Sequence, residues 1–251
     1  MRVPSHPPLR AIASSSSAVA RLVCFPYAGG SLGAFRPWKF SVEPWLALFG
    51  AEYPGHGYRI GEPFAAGIDA LAAEVAEVLV EDDALPTVLF GHSMGALVAF
   101  EVAHRLAGSG AAAQMLIISG CGNPDARPGR LIADLPEEAF IAQVKRFDGV
   151  PEGALEHEEL RQLALPILRA DFRAYETYRR SEQDPLCCPI LALGGAQDPS
   201  VPVDALDEWR RETTAAFECI VLPGRHFFPF DGSFAVTRTI ADVVKSRIVL
   251  A

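Results

Sequence analysis

From about residue 21 onward, short apolar runs alternate with stretches whose apolar positions recur at helical spacing. Leu22 to Pro26 reads as a buried strand, and Leu48 to Tyr53 as a weaker one leading into the turn Pro54-Gly55-His56-Gly57. Ile68 to Leu79 places Leu71, Val75, Val78 and Leu79 at helical spacing. Thr87 to Phe90 follows as strand, Met94 to Ala107 as helix and Met115 to Ser119 as strand. After a long interruption the rhythm resumes with strand at Ile190 to Leu193, helix at Ala205 to Arg211, strand at Phe217 to Leu222 and a closing helix at Ala235 to Val249. Such alternation predicts an α/β fold, a mainly parallel sheet with helices on both faces.

The interruption, residues 125–183, has a different texture. It holds 21 charged residues in 59, against 32 in the other 192, and its patterns at Ala139 to Phe147 and Leu160 to Tyr178 are amphipathic and helical. A solvated helical insertion and a lid over a site at the sheet edge are both open, and they are compatible. Residues 1–20, with the serine run Ser14 to Ser17, read as a flexible tail, and 21–251 as one domain carrying the insertion.

Composition narrows the classes. Half of the 251 residues are apolar and 21% are charged, enough to bury a sizeable core. The net charge of −9 offers no basic footprint for nucleic acid, which is not expected as a partner. Arg2 and Arg10, followed by Ala11 to Ala20, imitate a secretory leader, but four serines break its apolar region. The uncharged stretch Leu106 to Pro124 carries too many glycines and polar residues for a membrane span and reads as helix end, turn and strand. Cys24, Cys121, Cys187, Cys188 and Cys219 lack zinc-like or redox spacing and read as small apolar residues in a reducing, cytoplasmic setting.

The chemistry centres on Gly91-His92-Ser93-Met94-Gly95, a G-x-S-x-G pattern between a strand and a helix. In that context it is a nucleophile elbow presenting the Ser93 hydroxyl above the sheet edge, at a helix N-terminus that favours negative charge. A serine hydroxyl needs a base. His6 lies in the tail, His92 inside the elbow, His104 on the elbow helix and His157 in the insertion, while His56 follows a Pro-Gly turn. His226, between the last strand and the last helix, reaches the same sheet edge and is the expected base. Asp198, after the strand Ile190 to Leu193, fits the third position, with Asp125 as competitor; Asp198-Pro199 would equally suit an Asx turn. Backbone donors for a developing oxyanion are expected from Met94 and from the loop Pro26-Tyr27-Ala28-Gly29-Gly30-Ser31, where Ala28 is preferred over Tyr27.

Phe25 to Ser31, Tyr53-Pro54-Gly55, Phe90 to Ala96, Gly195 to Asp198 and Gly224 to Phe228 occur in order and with fitting spacing. Together they resemble the type II thioesterases that accompany polyketide and nonribosomal peptide synthases, a branch of the α/β-hydrolase superfamily. The resemblance covers about residues 20–250. It implies an α/β-hydrolase fold with a helical lid, Ser93, Asp198 and His226 as catalytic residues, and Ala28 and Met94 as oxyanion donors. It also implies an enzyme that clears aberrant acyl groups from the phosphopantetheine arm of acyl or peptidyl carrier proteins; no metal or bound cofactor is expected, and a monomer is expected. A medium-chain fatty acyl thioesterase, a general serine esterase, an acyltransferase and a non-catalytic carrier-binding module are the alternatives. Two positions depart from the family pattern. His56 stands where relatives usually have the arginine of Pro-Gly-Arg, and Ser119-Gly120-Cys121 replaces Ser-Gly-Arg, so a fixed cation is missing twice near the expected cleft rim. Because carrier proteins are commonly acidic, the lid-side Arg169, Arg173, Arg179 and Arg180 are expected to do the docking.

Overall fold

The computed structural model describes residues 6–82, 84–125, 131–147 and 155–249. Seven strands form one sheet: β1 (Leu9–Ala13), β2 (Ala20–Phe25), β3 (Leu46–Ala51), β4 (Thr87–His92), β5 (Met115–Ser119), β6 (Ile190–Gly195) and β7 (Phe217–Leu222), in the order β1-β3-β2-β4-β5-β6-β7. All neighbours are parallel except β1, which runs antiparallel along β3. The uninterrupted burial of β2, β4, β5 and β6 matches their continuous apolar runs, the signature of strands covered on both faces.

Helices α1 (Ile68–Glu81) and α2 (Met94–Ser109) cover one face, where Leu71, Val75, Val98 and Val102 pack with Val23, Leu89 and Leu116. The other face is covered by the 3₁₀ segment Leu32–Phe40 and by the last helix, through Phe35, Trp38, Val236 and Ile240 against Leu22, Val88 and Ile117. The chain leaves β2 toward β3 on one side and later returns to β4 on the other, so the crevice beyond their carboxyl ends is the topological switch point where ligands bind in open α/β sheets.

Between β5 and β6 lie α3 (Glu137–Val144) and α4 (Glu158–Thr177), with their own small core of Ile132, Phe140, Val144, Leu165 and Leu168. This is an α/β-hydrolase sheet with a helical lid. Residues 126–130 and 148–154 of the expected insertion, and 1–5 of the expected tail, lie outside the described residues. After β6 come α5 (Val203–Asp207), a 3₁₀ turn over Glu208–Glu212 and, beyond β7, α6 (Ala235–Val244), which continues as a π-helical turn over Lys245–Val249. No described helix is long and apolar enough to cross a membrane.

One expectation for the tail is corrected. Residues 9–13 are the edge strand β1, not unstructured chain: Leu9 is buried, and the Arg10 guanidinium lies 3.9 Å above the Tyr58 ring. The neighbouring serines masked a short strand whose order comes from pairing with β3, a partner nearly forty residues away.

Candidate active site

Ser93 stands between β4 and α2 at φ 54°, ψ −120°, a conformation that costs a non-glycine residue energy and is maintained only by its surroundings. Tight packing holds it. A Cβ on Gly95 would come within 2.2 Å of the Phe25 carbonyl oxygen, and one on Gly91 within 2.2 Å of the Gly95 carbonyl oxygen, so the elbow closes only with hydrogens at both flanks. As the first residue of α2, Met94 has an N–H without an intrahelical acceptor.

His226 and Asp198 arrive from the loops after β7 and β6. The distance from Ser93 Oγ to His226 Nε2 is 3.1 Å, and from His226 Nδ1 to Asp198 Oδ2 2.7 Å. Nδ1 faces a carboxylate acceptor and therefore carries the proton, leaving Nε2 to accept from the serine hydroxyl. Burial would raise the Asp198 carboxyl, but the His226 hydrogen bond and charge, with the Ser200 and Val201 N–H groups, outweigh it and hold the pKa below the ordinary value. The Asx-turn reading of Asp198 holds as well: Oδ1 accepts the Ser200 N–H at 2.8 Å while Oδ2 serves His226.

The competing residues are elsewhere. Asp125 pairs with Arg180 at 3.3 Å. His6 meets the Tyr58 ring, His104 meets Phe100, and His157 precedes α4. His92 is fully buried, shares a hydrogen bond with the Ser119 hydroxyl at 3.0 Å and lies 5.1 Å from the His226 ring. Burial, and secondarily the charge of His226, pushes its pKa well down, so the ring beneath His226 is neutral.

The loop after β2 borders the elbow. Its Gly30 N–H is donated to the Tyr27 carbonyl at 2.8 Å and its Gly29 N–H to Asp171 Oδ2 at 2.7 Å. Among the described residues no group accepts the N–H of Ala28, which lines the cavity with Met94. That cavity, of about 570 Å³, opens between Ser93 and His226 below and Val144, Leu168 and Phe172 of the lid above. Phe147 brings its ring 5.9 Å from that of His226, so the lid reaches the Ser93–His226 pair.

The lid arginines expected to dock a partner are engaged within the protein. Arg169 donates to the Ala133 carbonyl and lies over the Phe140 ring, and Arg173 pairs with Asp134. Arg179 donates to the carbonyls of Glu176 and Tyr178, and Arg180 pairs with Asp125 and Glu212. Sequence reasoning missed the acidic side of this network. Asp171 and Glu176 are both buried on α4; Glu176 accepts the N–H groups of Ile132 and Ala133, and Asp171 binds the loop after β2. Carboxylates on the apolar side of an amphipathic helix were the available signal.

A model of the thioesterase domain matches residues 20–244. The chain is 37% identical over 236 residues to a probable cadicidin biosynthesis thioesterase of Streptomyces griseus, covering 94% of this chain and 65% of that protein, so it spans just under two thirds of that relative. It is 35% identical over 238 residues to thioesterase PikA5 of Streptomyces venezuelae, covering 93% of this chain and 84% of that one. Among solved structures, the type II thioesterase YbtT from the yersiniabactin NRPS/PKS pathway superposes with a TM-score of 0.87 at 32% identity, over 97% of this chain and 98% of the other.

Proposed function

The chain belongs to the thioesterase family of the α/β-hydrolase superfamily, and from that membership we propose how it works. It is a stand-alone type II thioesterase that removes aberrant or stalled acyl groups from the phosphopantetheine arms of carrier proteins in polyketide or nonribosomal peptide synthesis. The observation that carries the mechanism is the Ser93–His226–Asp198 relay beneath a lid-covered cavity.

Ser93 Oγ attacks the thioester carbonyl carbon while His226 Nε2 takes the hydroxyl proton, and Asp198 holds the imidazolium that forms. The charge gathered on the carbonyl oxygen is met by the N–H groups of Ala28 and Met94. Collapse of the tetrahedral intermediate breaks the C–S bond and expels the pantetheine thiolate, a good leaving group that needs little protonation. His226 then deprotonates a water molecule that hydrolyses the Ser93 ester, releasing the carboxylic acid. No step calls on a metal or bound cofactor; the phosphopantetheine arm belongs to the substrate. The sheet, β1 included, acts as one catalytic unit with 125–183 as its lid, because the acid and the base follow the insertion in the chain while serving the serine before it. The five unpaired cysteines suit the cytoplasm, where such synthases work.

Turnover of an acyl-loaded carrier protein should exceed that of the matched oxygen ester, and Ser93→Ala should abolish both. Mass spectrometry of the carrier after single turnover reads the result directly. Undiminished unloading by Ser93→Ala would overturn the mechanism, and a strong preference for the oxygen ester would overturn the substrate class.

A further inference from the structure

His56 is 2% exposed and both of its ring nitrogens face oxygens. Nδ1 lies 3.0 Å from the Pro54 carbonyl and Nε2 2.9 Å from Asp171 Oδ2. A carbonyl only accepts, and so does Asp171 as a carboxylate, whose Oδ2 also takes the Gly29 N–H, so with Asp171 ionised both ring nitrogens donate. Only the imidazolium does that. The missing arginine of the Pro-Gly-Arg pattern is thus replaced by a titratable cation.

The same aspartate joins two functional parts. Asp171 is on lid helix α4; Gly29 follows Ala28 in the loop that borders Ser93. One turn back along α4, Leu168 packs onto the same glycine: a Cβ on Gly29 would lie 2.5 Å from Leu168 Cδ2, and Gly29 adopts φ +79°. Tyr53 steadies the loop from below, its hydroxyl donating to the Pro26 carbonyl at 3.2 Å.

We propose that Asp171 is a positioning residue for the oxyanion loop, with protonated His56 as its buried counter-ion, so that seating the lid and aiming the Ala28 N–H are one event. The proposal rests on the thioesterase mechanism above. If α4 lifts, Gly29 loses its acceptor, Asp171 loses its cation, and the loop is free to turn its donors away.

The groups around His56 favour the cation. Burial alone would lower its pKa, but Asp171, the Pro54 carbonyl and Glu52 together raise it above 6.5. Glu52 is itself raised by burial, with the nearby charges of His56 and Arg10 acting against that. Arg59 donates to the Glu52 carbonyl and is neutralised by Glu62 and Glu74. The Tyr53 phenol, pushed well up by burial and then by Asp171, stays neutral against the His56 ring at 5.7 Å, and Phe64 closes the remaining side.

The test combines a charge state with kinetics. ¹⁵N NMR of histidine-labelled wild-type protein at pH 7 should find both His56 nitrogens protonated; a neutral tautomer there would overturn the proposal. With an acyl-pantetheine thioester, Asp171→Asn should lower kcat about 10- to 100-fold, the scale of a weakened oxyanion donor, while KM changes less than about threefold. The alkaline fall of kcat should move to lower pH in Asp171→Asn and to higher pH in His56→Arg, whose cation is permanent. Unchanged kcat in Asp171→Asn, or a His56→Arg profile that overlays wild type, would reject the positioning role. Should His56→Arg fail to fold, His56→Gln replaces it and must lose the wild-type alkaline limb. The NMR measurement needs no turnover, so a Ser93→Ala protein that still hydrolyses would sink the serine mechanism without touching the His56 result.

Discussion

At the sheet edge His226 donates from Nδ1 to Asp198 and turns Nε2 to the Ser93 hydroxyl; at the foot of the lid His56 turns one nitrogen to Asp171 and the other to a carbonyl. Both pairs are buried and close to 2.8 Å, yet their surroundings set opposite tasks. The serine hydroxyl is a donor, so His226 can rest neutral and take a proton. The Pro54 carbonyl is not, so His56 rests charged and holds a helix. What lies on the far nitrogen decides whether a histidine–aspartate pair is a base or a clamp.

The largest difference should appear when each aspartate loses its charge. Asp198→Asn removes the group that fixes the His226 tautomer and stabilises the imidazolium, and kcat for acyl-pantetheine hydrolysis should fall by roughly 10⁴. That is at least a hundredfold more than is expected of Asp171→Asn. Equal losses from the two substitutions, measured on the same substrate, would erase the distinction.

A smaller effect separates the pairs by pH. The folded-state pKa of His56 is raised, so its contribution to stability is complete below the unfolded value of 6.5 and is lost as pH climbs through the folded value. Asp198 is lowered, so its contribution is present above the unfolded value of 3.8 and is lost as pH falls through the folded one. Urea unfolding of wild type and His56→Gln should therefore differ by about 2 kcal/mol below pH 6.5, the scale of a hydrogen bond to a charged group, and converge on the alkaline side. A gap that widens with rising pH would reverse the assignment.

The two regions also differ in how far the sequence revealed them. Strand and helix alternation located β2 through β7, and Ser93, Asp198 and His226 lie in short local motifs whose neighbours dictate their geometry. Ser93, Asp198 and His226 could be chosen because each follows a strand and must emerge at one edge. The lid junction has no such grammar. His56 and Asp171 are 115 positions apart, and Gly29 and Asp171 are 142. A histidine after Pro-Gly reads as a lost cation until a helix from the insertion is seen to supply its carboxylate. β1 was hidden for the same reason, since five residues acquire strand character only from β3.

The lid's surface charges stand at the weak end of the same comparison. Arg173 and Asp134 are 56% and 83% exposed, in contrast to His56 and Asp171 at 2% and 6%. Water screens the outer pair, which also gives up side-chain freedom to form, so Arg173→Glu should shift stability by no more than about 1 kcal/mol. Hydrolysis of a free acyl-pantetheine should stay within about twofold, because Arg173 does not line the cavity and its side chain pairs with Asp134. Carrier-borne substrate sharpens the point. If Arg173 is engaged only within the lid, KM for the loaded carrier protein should also hold within about twofold; a tenfold rise confined to the carrier substrate would instead assign this arginine to docking. Comparing the two substrates for one variant separates a charge that holds the lid in place from one that receives a partner.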